Sequence, residues 1–313
     1  MGQNNMSGEY DSSKSMKVSV ITPSFNQGQF IEKTILSVLC QDYLNLEYIV
    51  VDGLSDDQTH RILNRYKKYI DVVVVEKDDG QSDALNKGFK LATGDILAYL
   101  NSDDCYANPS VISKVVHHFQ AAPDTGVVYG RREMIDENGY FFYCFPYSSF
   151  SKEYLYLADY IPQECAFWSR EIFEKADPFI SREFDFAMDY ELWLRFLEFD
   201  CKFLAVDEVF GLFRSYASQK TIAQWQSKGL PEIAKLHQQY LGRSISDAEM
   251  QNYFKAHAFG IDQNLHPEAG LLQEQLWVDF TTLKRQLLSR FPLDGWVFHQ
   301  KENLRQRLRK GFK

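Results

Sequence analysis

Short, continuous apolar runs alternate along the first 130 residues with stretches whose apolar positions recur every three or four residues. The runs Lys17–Thr22, Tyr48–Val51, Val72–Val75, Asp95–Leu100 and Val127–Tyr129 read as strands, the first ended by Pro23. Between them, Ile31, Ile35, Val38 and Leu39 share one helical face, and Ile62, Leu63 and Tyr66 share another. Ser55 and Asp56 are placed to cap the second of these helices. Ser82–Leu91 reads as a short helix after the Asp78-Asp79-Gly80 turn, and Val111–Phe119 continues from a start at Asn108-Pro109-Ser110. Strands that are apolar throughout and alternate with helices predict a mostly parallel α/β sheet covered on both faces.

The rhythm then changes. Gly139 is placed in a hairpin turn, followed by the aromatic run Tyr140, Phe141, Phe142, Tyr143, Phe145 and Tyr147. Asp185–Phe199 reads as a loop and a strongly apolar helix, and Phe203–Phe213 as one or two further strands. After Ser218 the pattern is helical. This predicts a polar, disordered lead over 1–15, an α/β domain over 16–217 and a helical region over 218–313, with the boundary near Tyr216–Gln219.

Composition narrows the reading. A chain of 313 residues with 45% hydrophobic content has enough apolar material for one large or two unequal domains. No run approaches the roughly 18 apolar residues that a spanning helix needs. Five scattered cysteines, with no paired short spacing, argue against a zinc site or a disulfide framework. The net charge of −9 conceals an asymmetry, because residues 281–313 carry nine Lys/Arg against Asp294 and Glu302. The acidic remainder argues against nucleic acid as a partner. In the tail, Leu304, Leu308 and Phe312 recur every four residues among Arg305, Arg307, Arg309 and Lys310, with Phe291, Trp296 and Phe298 upstream. That pattern suits an amphipathic helix on an anionic membrane surface, and equally a solvated helix end or an oligomer contact.

The chemistry concentrates at strand ends. Ile96–Leu100 runs directly into Asn101-Ser102-Asp103-Asp104, and carboxylates at the carboxyl edge of an open α/β sheet stand where ligands bind. The group reads as a metal–diphosphate site or as a solvated Asp-rich turn. Asp52 and Asp83 fall on the same edge, as does Pro23–Asn26. Carboxylates gathered there repel one another unless a cation neutralises them, which favours the metal site.

These motifs resemble family 2 glycosyltransferases in kind and in order: Thr22-Pro23-Ser24-Phe25-Asn26, Val51-Asp52-Gly53 with Ser55 and Asp57, Ser82-Asp83-Ala84-Leu85-Asn86-Lys87-Gly88, Asn101-Ser102-Asp103-Asp104, and Ala187-Met188-Asp189-Tyr190-Glu191-Leu192-Trp193-Leu194-Arg195. The resemblance covers residues 16–216. It implies a GT-A fold, an inverting transferase of hexosyl or N-acetylhexosaminyl type in bacterial cell-surface polysaccharide synthesis, and a nucleotide-sugar donor linked to UDP. It also implies a Mg²⁺ or Mn²⁺ cofactor, a glycan or lipid-linked acceptor, and a cytoplasmic setting at the inner face of the membrane. Residue by residue, it implies that Pro23, Phe25, Asn26, Asp52, Asp83 and Ser102 line the nucleotide pocket. Asp103, with Asp104, would hold the metal, and Asp189 would act as general base. Glu164, Trp168, Tyr190 and Arg214 are candidates for the sugar and acceptor side, with Lys87 as a further source of positive potential.

The chain departs from the family pattern at three positions. Asn101 occupies the first acidic position, Gly53 stands where some relatives carry a second Asp, and Tyr216 stands where many carry a His. Two other readings stand beside this one. A sugar nucleotidyltransferase would want a Gly-rich, basic first loop, which Ser24-Phe25-Asn26-Gln27-Gly28 is not. A non-catalytic sugar-nucleotide or glycan scaffold would bind a donor without turning it over.

Overall fold

Strands β1 (Val18–Ser24) and β2 (Leu46–Asp52) are buried along their whole length, as strands covered on both faces must be. A computed structural model describes residues 15–145, 147–246 and 248–249; the lead and the basic tail lie outside the described residues. Helices α1 (Ile31–Leu39), α2 (Thr59–Tyr66) and α3 (Gln81–Leu91) alternate with β1, β2, β3 (Val72–Val75) and β4 (Ile96–Tyr99). Then follow β5 (Cys105–Tyr106), α4 (Val111–Ala121), β6 (Val127–Ile135), β7 (Phe141–Cys144), α5 (Lys152–Leu157), β8 (Ala166–Ser169) and α6 (Arg170–Lys175). The remaining elements are α7 (Met188–Glu198), β9 (Phe203–Arg214), α8 (Lys220–Ala223), a π-helical turn at Trp225–Gly229, and α9 (Leu230–Leu241).

The sheet order is β3-β2-β1-β4-β8-β6-β9-β5, with β7 on β6. The half formed by β1–β4 is parallel, as expected from its apolar strands. Beyond β4 the sheet is mixed: β8 runs antiparallel to both β4 and β6, while β6 and β9 are parallel. Pro23 does not end β1. It pairs with Val51 of β2 after β4 has ended at Tyr99, so its missing N–H leaves no ladder bond unmade on that side. Gly139, with φ +96°, turns the β6–β7 hairpin.

Period-two alternation divides the core. Val18, Val20, Tyr48 and Val50 face α1 and α4, whereas Ile21, Ile49, Val51, Leu97 and Tyr99 face α3 and α7. Helix α3 lies so close to β1 that a Cβ on Gly88 would stand 2.5 Å from Ile21 Cγ2. Leu236 of α9 belongs to the same core as α7, so residues 230–241 pack onto the α/β body. Below the strands, buried Glu47 accepts from Lys17 Nζ at 2.6 Å, Ser19 Oγ at 2.5 Å and Thr93 N at 2.7 Å. Burial alone would raise this carboxyl, but these donors outweigh it and hold it down at about 2. No helix among the described residues is long and apolar enough to cross a membrane.

Candidate active site

A cavity of about 740 Å³ opens at the carboxyl edge of the parallel strands, where an α/β sheet is expected to bind ligands. Its walls come from the end of β1 and the loop that follows (Pro23, Ser24, Phe25, Gln27), the start of α3 (Gly80, Gln81), the turn after β4 (Asn101, Ser102, Asp103) and the start of α7 (Ala187, Met188, Asp189). The segment before β8 adds Asp159, Gln163 and Glu164, and residues 216–233 close the remaining side with Tyr216, Gln219, Lys220 and Trp225.

Of the residues singled out in the sequence, Pro23, Phe25, Ser102, Asp103, Glu164 and Asp189 meet in this cavity. Phe25 is 60% exposed at its edge, an apolar ring free to stack on a ligand. Asp103 and Asp189 are far apart in the chain, yet both carboxylates face the same space. Burial raises the pKa of each above the ordinary aspartate range, although a hydrogen bond from Tyr216 to Asp103 and one from the Tyr190 N–H to Asp189 pull the other way.

The other candidates lie elsewhere, each for a definable reason. Asn26 ties loops together: its N–H donates to Ser55 Oγ at 2.8 Å and its Oδ1 accepts from Asp56 N at 2.9 Å. Asp52 is enclosed, its carboxylate taken by Ser55 N, Ser55 Oγ and His60 Nε2 at 2.6–2.9 Å. Ser55 and Asp56 therefore do not cap α2; Asp57 Oδ1 instead accepts from Thr59 N at 2.8 Å. Asp83 is held by Arg182, Lys87 and the Asp79 N–H, and Lys87 is spent on Asp83, Glu76 and the Lys77 carbonyl. Asp104 points inward and accepts from Arg214 N at 3.0 Å, so Asp103 alone of the pair faces the cavity. Arg214 is fully buried; its guanidinium donates to the carbonyls of Asp103, Asp136 and Glu137 at 2.9–3.2 Å and braces the 101–104 turn from behind. Trp168 and Tyr190 are core residues, Trp168 packing on Phe89, Tyr99 and Trp193 at ring-centroid distances of 5.6–6.2 Å.

The structure adds residues that no pattern marked. Asp159, in the loop after α5, stands in the cavity; enclosure, then the nearby Asp189 charge, push its carboxyl well up. Arg132 grips Glu164 with two parallel bonds of 2.6 Å and lies over the Phe213 ring at 4.5 Å, so Glu164 enters the cavity already paired. A directional chain crosses the floor. Lys220 Nζ donates to Gln81 Oε1 (3.2 Å), Gln81 Nε2 to Asn101 Oδ1 (2.7 Å), Asn101 Nδ2 to Gln163 Oε1 (3.2 Å), and Gln163 Nε2 to the Tyr99 carbonyl (2.6 Å). Each amide both donates and accepts, which accounts for Asn at position 101: a carboxylate there could not donate to Gln163. From α9, Glu232 accepts from the N–H groups of Asp185, Phe186 and Ala187 at 2.7–3.1 Å, capping the entry to α7 and so seating Asp189.

Six acidic side chains line the cavity against two basic ones, Arg132 and Lys220. Burial, then repulsion from Asp103 and Glu164, drives Asp104 well above its usual range, so an added cation would relieve this turn. No group of three or more His, Cys, Asp or Glu among the described residues is arranged to hold a metal by itself. A hard cation here would have Asp103 as its protein carboxylate from this turn and would need phosphate oxygens and water to complete its shell.

Among solved structures, the chain is similar to Staphylococcus aureus TarS 1–349 in complex with UDP-GlcNAc (TM-score 0.60, 17% identity, covering 86% of this chain and 81% of that one). It is also similar to the Pyrobaculum calidifontis mannosyltransferase PcManGT in complex with GDP-Man and Mn²⁺ (TM-score 0.57, 16% identity, covering 94% and 81%). These likenesses establish the GT-A fold. In sequence, TuaG of Bacillus subtilis, a glycosyltransferase provisionally assigned to teichuronic acid biosynthesis, is 46% identical over 90 residues, 28% of this chain and 36% of its own length. An uncharacterised glycosyltransferase of Rickettsia prowazekii is 29% identical over 186 residues, 57% of this chain and 58% of its own length. The chain thus spans between about a third and three-fifths of these curated relatives. The glycosyl transferase family 2 model matches residues 19–176, about half the chain, and the chain belongs to that family.

Proposed function

We propose that this chain is an inverting glycosyltransferase that moves a sugar from a nucleoside-diphosphate sugar, with UDP as the nucleotide, to a hydroxyl of a glycan or lipid-linked acceptor. One observation carries the reading: the Asp103 turn and Asp189 converge on one cavity large enough for a nucleotide sugar. The bound UDP-GlcNAc and GDP-Man of the structural neighbours support the donor class.

In this reading Phe25 stacks on the base and Ser102 and Asp103 meet the diphosphate. The acceptor hydroxyl attacks the anomeric carbon while its proton passes to a carboxylate oxygen of Asp189. The bond from that carbon to the diphosphate oxygen breaks, and the nucleoside diphosphate leaves with the electron pair. Attack by one nucleophile opposite the leaving group inverts the centre. The elevated pKa of Asp189 makes it a stronger base than an exposed aspartate. Mg²⁺ or Mn²⁺, as in the Mn²⁺-bound neighbour, would be held by Asp103 and would supply charge stabilisation to the departing diphosphate.

The test is calorimetric titration of UDP and of GDP, with and without Mn²⁺, on the wild type and on Asp103→Ala. Metal-dependent UDP binding that disappears in the variant is expected. A wild type that binds neither nucleotide overturns the reading, and binding without any turnover of a donor moves it to the scaffold alternative.

A further inference from the structure

The two cations of the cavity differ in what they are free to do. Arg132 is locked face to face on Glu164 by two 2.6 Å bonds. Lys220, at the start of α8, donates to Asp185 Oδ1 at 2.7 Å, to the Asp185 carbonyl and to Gln81. Asp185 has a second cation: Lys228, from the π-helical turn, pairs with its other carboxylate oxygen. Asp185 can therefore give up Lys220 and remain neutralised, which Glu164 cannot do with Arg132. Lys220 is also aimed by the amide chain, whose next links are Gln81 and then Asn101 in the turn that carries Asp103.

We propose that Lys220 is the exchangeable cation of the donor site, leaving the Asp185 carboxylate for the diphosphate of the nucleotide while Lys228 keeps Asp185 paired. This rests on the nucleotide-sugar reading above. It assigns the positive charge at the leaving group to residue 220, outside the stretch matched by the family model. It also gives Tyr216 its place: a neutral hydroxyl orienting Asp103, with Lys220 carrying the charge at the diphosphate. Arg214 and Lys87, the two cations singled out from the sequence, are both spent elsewhere.

A lysine that only holds the segment in place and one that binds phosphate make opposite forecasts for its partner. Removing a competing carboxylate frees a ligand-binding lysine, whereas it loosens a structural one. The experiment is calorimetry of UDP and UMP at fixed Mg²⁺ on the wild type, Lys220→Met, Lys220→Arg, Lys228→Met, Asp185→Asn and the double variant Asp185→Asn/Lys220→Met. Lys220→Met is expected to weaken UDP about tenfold or more and UMP much less, because a charge-assisted bond to the terminal phosphate is lost. Lys220→Arg restores part of the affinity, and Lys228→Met also weakens UDP, though less than Lys220→Met, because Asp185 is then left with Lys220 as its cation and holds it back. Asp185→Asn tightens UDP, and the gain disappears in the double variant, as coupled sites require. Unchanged UDP affinity in a folded Lys220→Met protein, or an Asp185→Asn gain that survives loss of Lys220, overturns the proposal while leaving the nucleotide-sugar reading intact. A wild type that binds no nucleotide overturns both.

Discussion

Glu232 is the joint on which the position of the candidate base depends. Its carboxylate receives three backbone N–H groups, from Asp185, Phe186 and Ala187, just ahead of α7. In Glu232→Ala those donors lose a charged acceptor at a helix N-terminus. A hydrogen bond to a charged group contributes about 1.5–3 kcal/mol, but Glu232 is only half-buried and water re-solvates part of what is exposed, so the net loss is about 2–4 kcal/mol. At about 2–4 °C per kcal/mol for a domain of this size, the melting temperature falls by roughly 5–15 °C. Glu232→Gln keeps one acceptor oxygen and loses the charge, so it falls between. The consequence for activity is specific. Asp189 is the second residue of α7, so loosening this entry lowers kcat for glycosyl transfer. Thermal unfolding followed by circular dichroism, with kinetics well below the transition, checks both. A Glu232→Ala protein that melts within about 2 °C of wild type, or that keeps full kcat, refutes the reasoning.

Three further outcomes follow from the geometry. Glu47 has a folded pKa of about 2 against an ordinary 4.5, so its bonds stabilise the fold above pH 4.5 and that contribution fades as pH falls toward 2; Glu47→Gln should cost up to about 3 kcal/mol in urea unfolding at neutral pH and progressively less in acid. Asn101→Asp sets two acceptors face to face with Gln163, so it should lower stability by about 1–3 kcal/mol and should not tighten Mn²⁺ binding to the free enzyme, as calorimetry and thermal melts can read. Because burial lifts Asp189, the acid limb of the pH–rate profile should lie above the ordinary aspartate range, with activity rising as the base deprotonates; a limb at or below that range speaks against Asp189 as base.

How much of this was legible beforehand varies with the kind of information required. Strands β1–β4 were readable because a sheet covered on both faces demands unbroken apolar runs, and β3 falls at Val72–Val75 as expected. The long β6, expected to stop at Tyr129, continues to Ile135 because β9 runs beside it, a long-range pairing that leaves no local trace. At the site, position along the sheet edge was readable and side-chain direction was not. Asp52, Asp83 and Asp103 all sit at the expected edge, yet Asp52 folds back onto Ser55 and His60, Asp83 is held by Arg182 and Lys87, and only Asp103 faces the cavity. Trp168 follows a strand alternation whose two faces are both core, Phe167 packing on Tyr106 and Phe210 on one side and Trp168 on Trp193 on the other, and nothing local separates such a strand from one that borders a cavity. Asp159 and Lys220 lie in segments without a motif, and only the folded chain brings them to the cavity.

The most direct test of sugar transfer at this cavity is release of nucleoside diphosphate from a panel of UDP- and GDP-sugars by wild type and Asp189→Asn, with UDP affinity measured on the same preparations. The expected result is turnover by the wild type, and a folded variant that binds UDP normally but releases diphosphate about a hundredfold to ten-thousandfold more slowly. Equal rates in the two proteins, or a wild type that binds UDP and never turns over a donor, would contradict it.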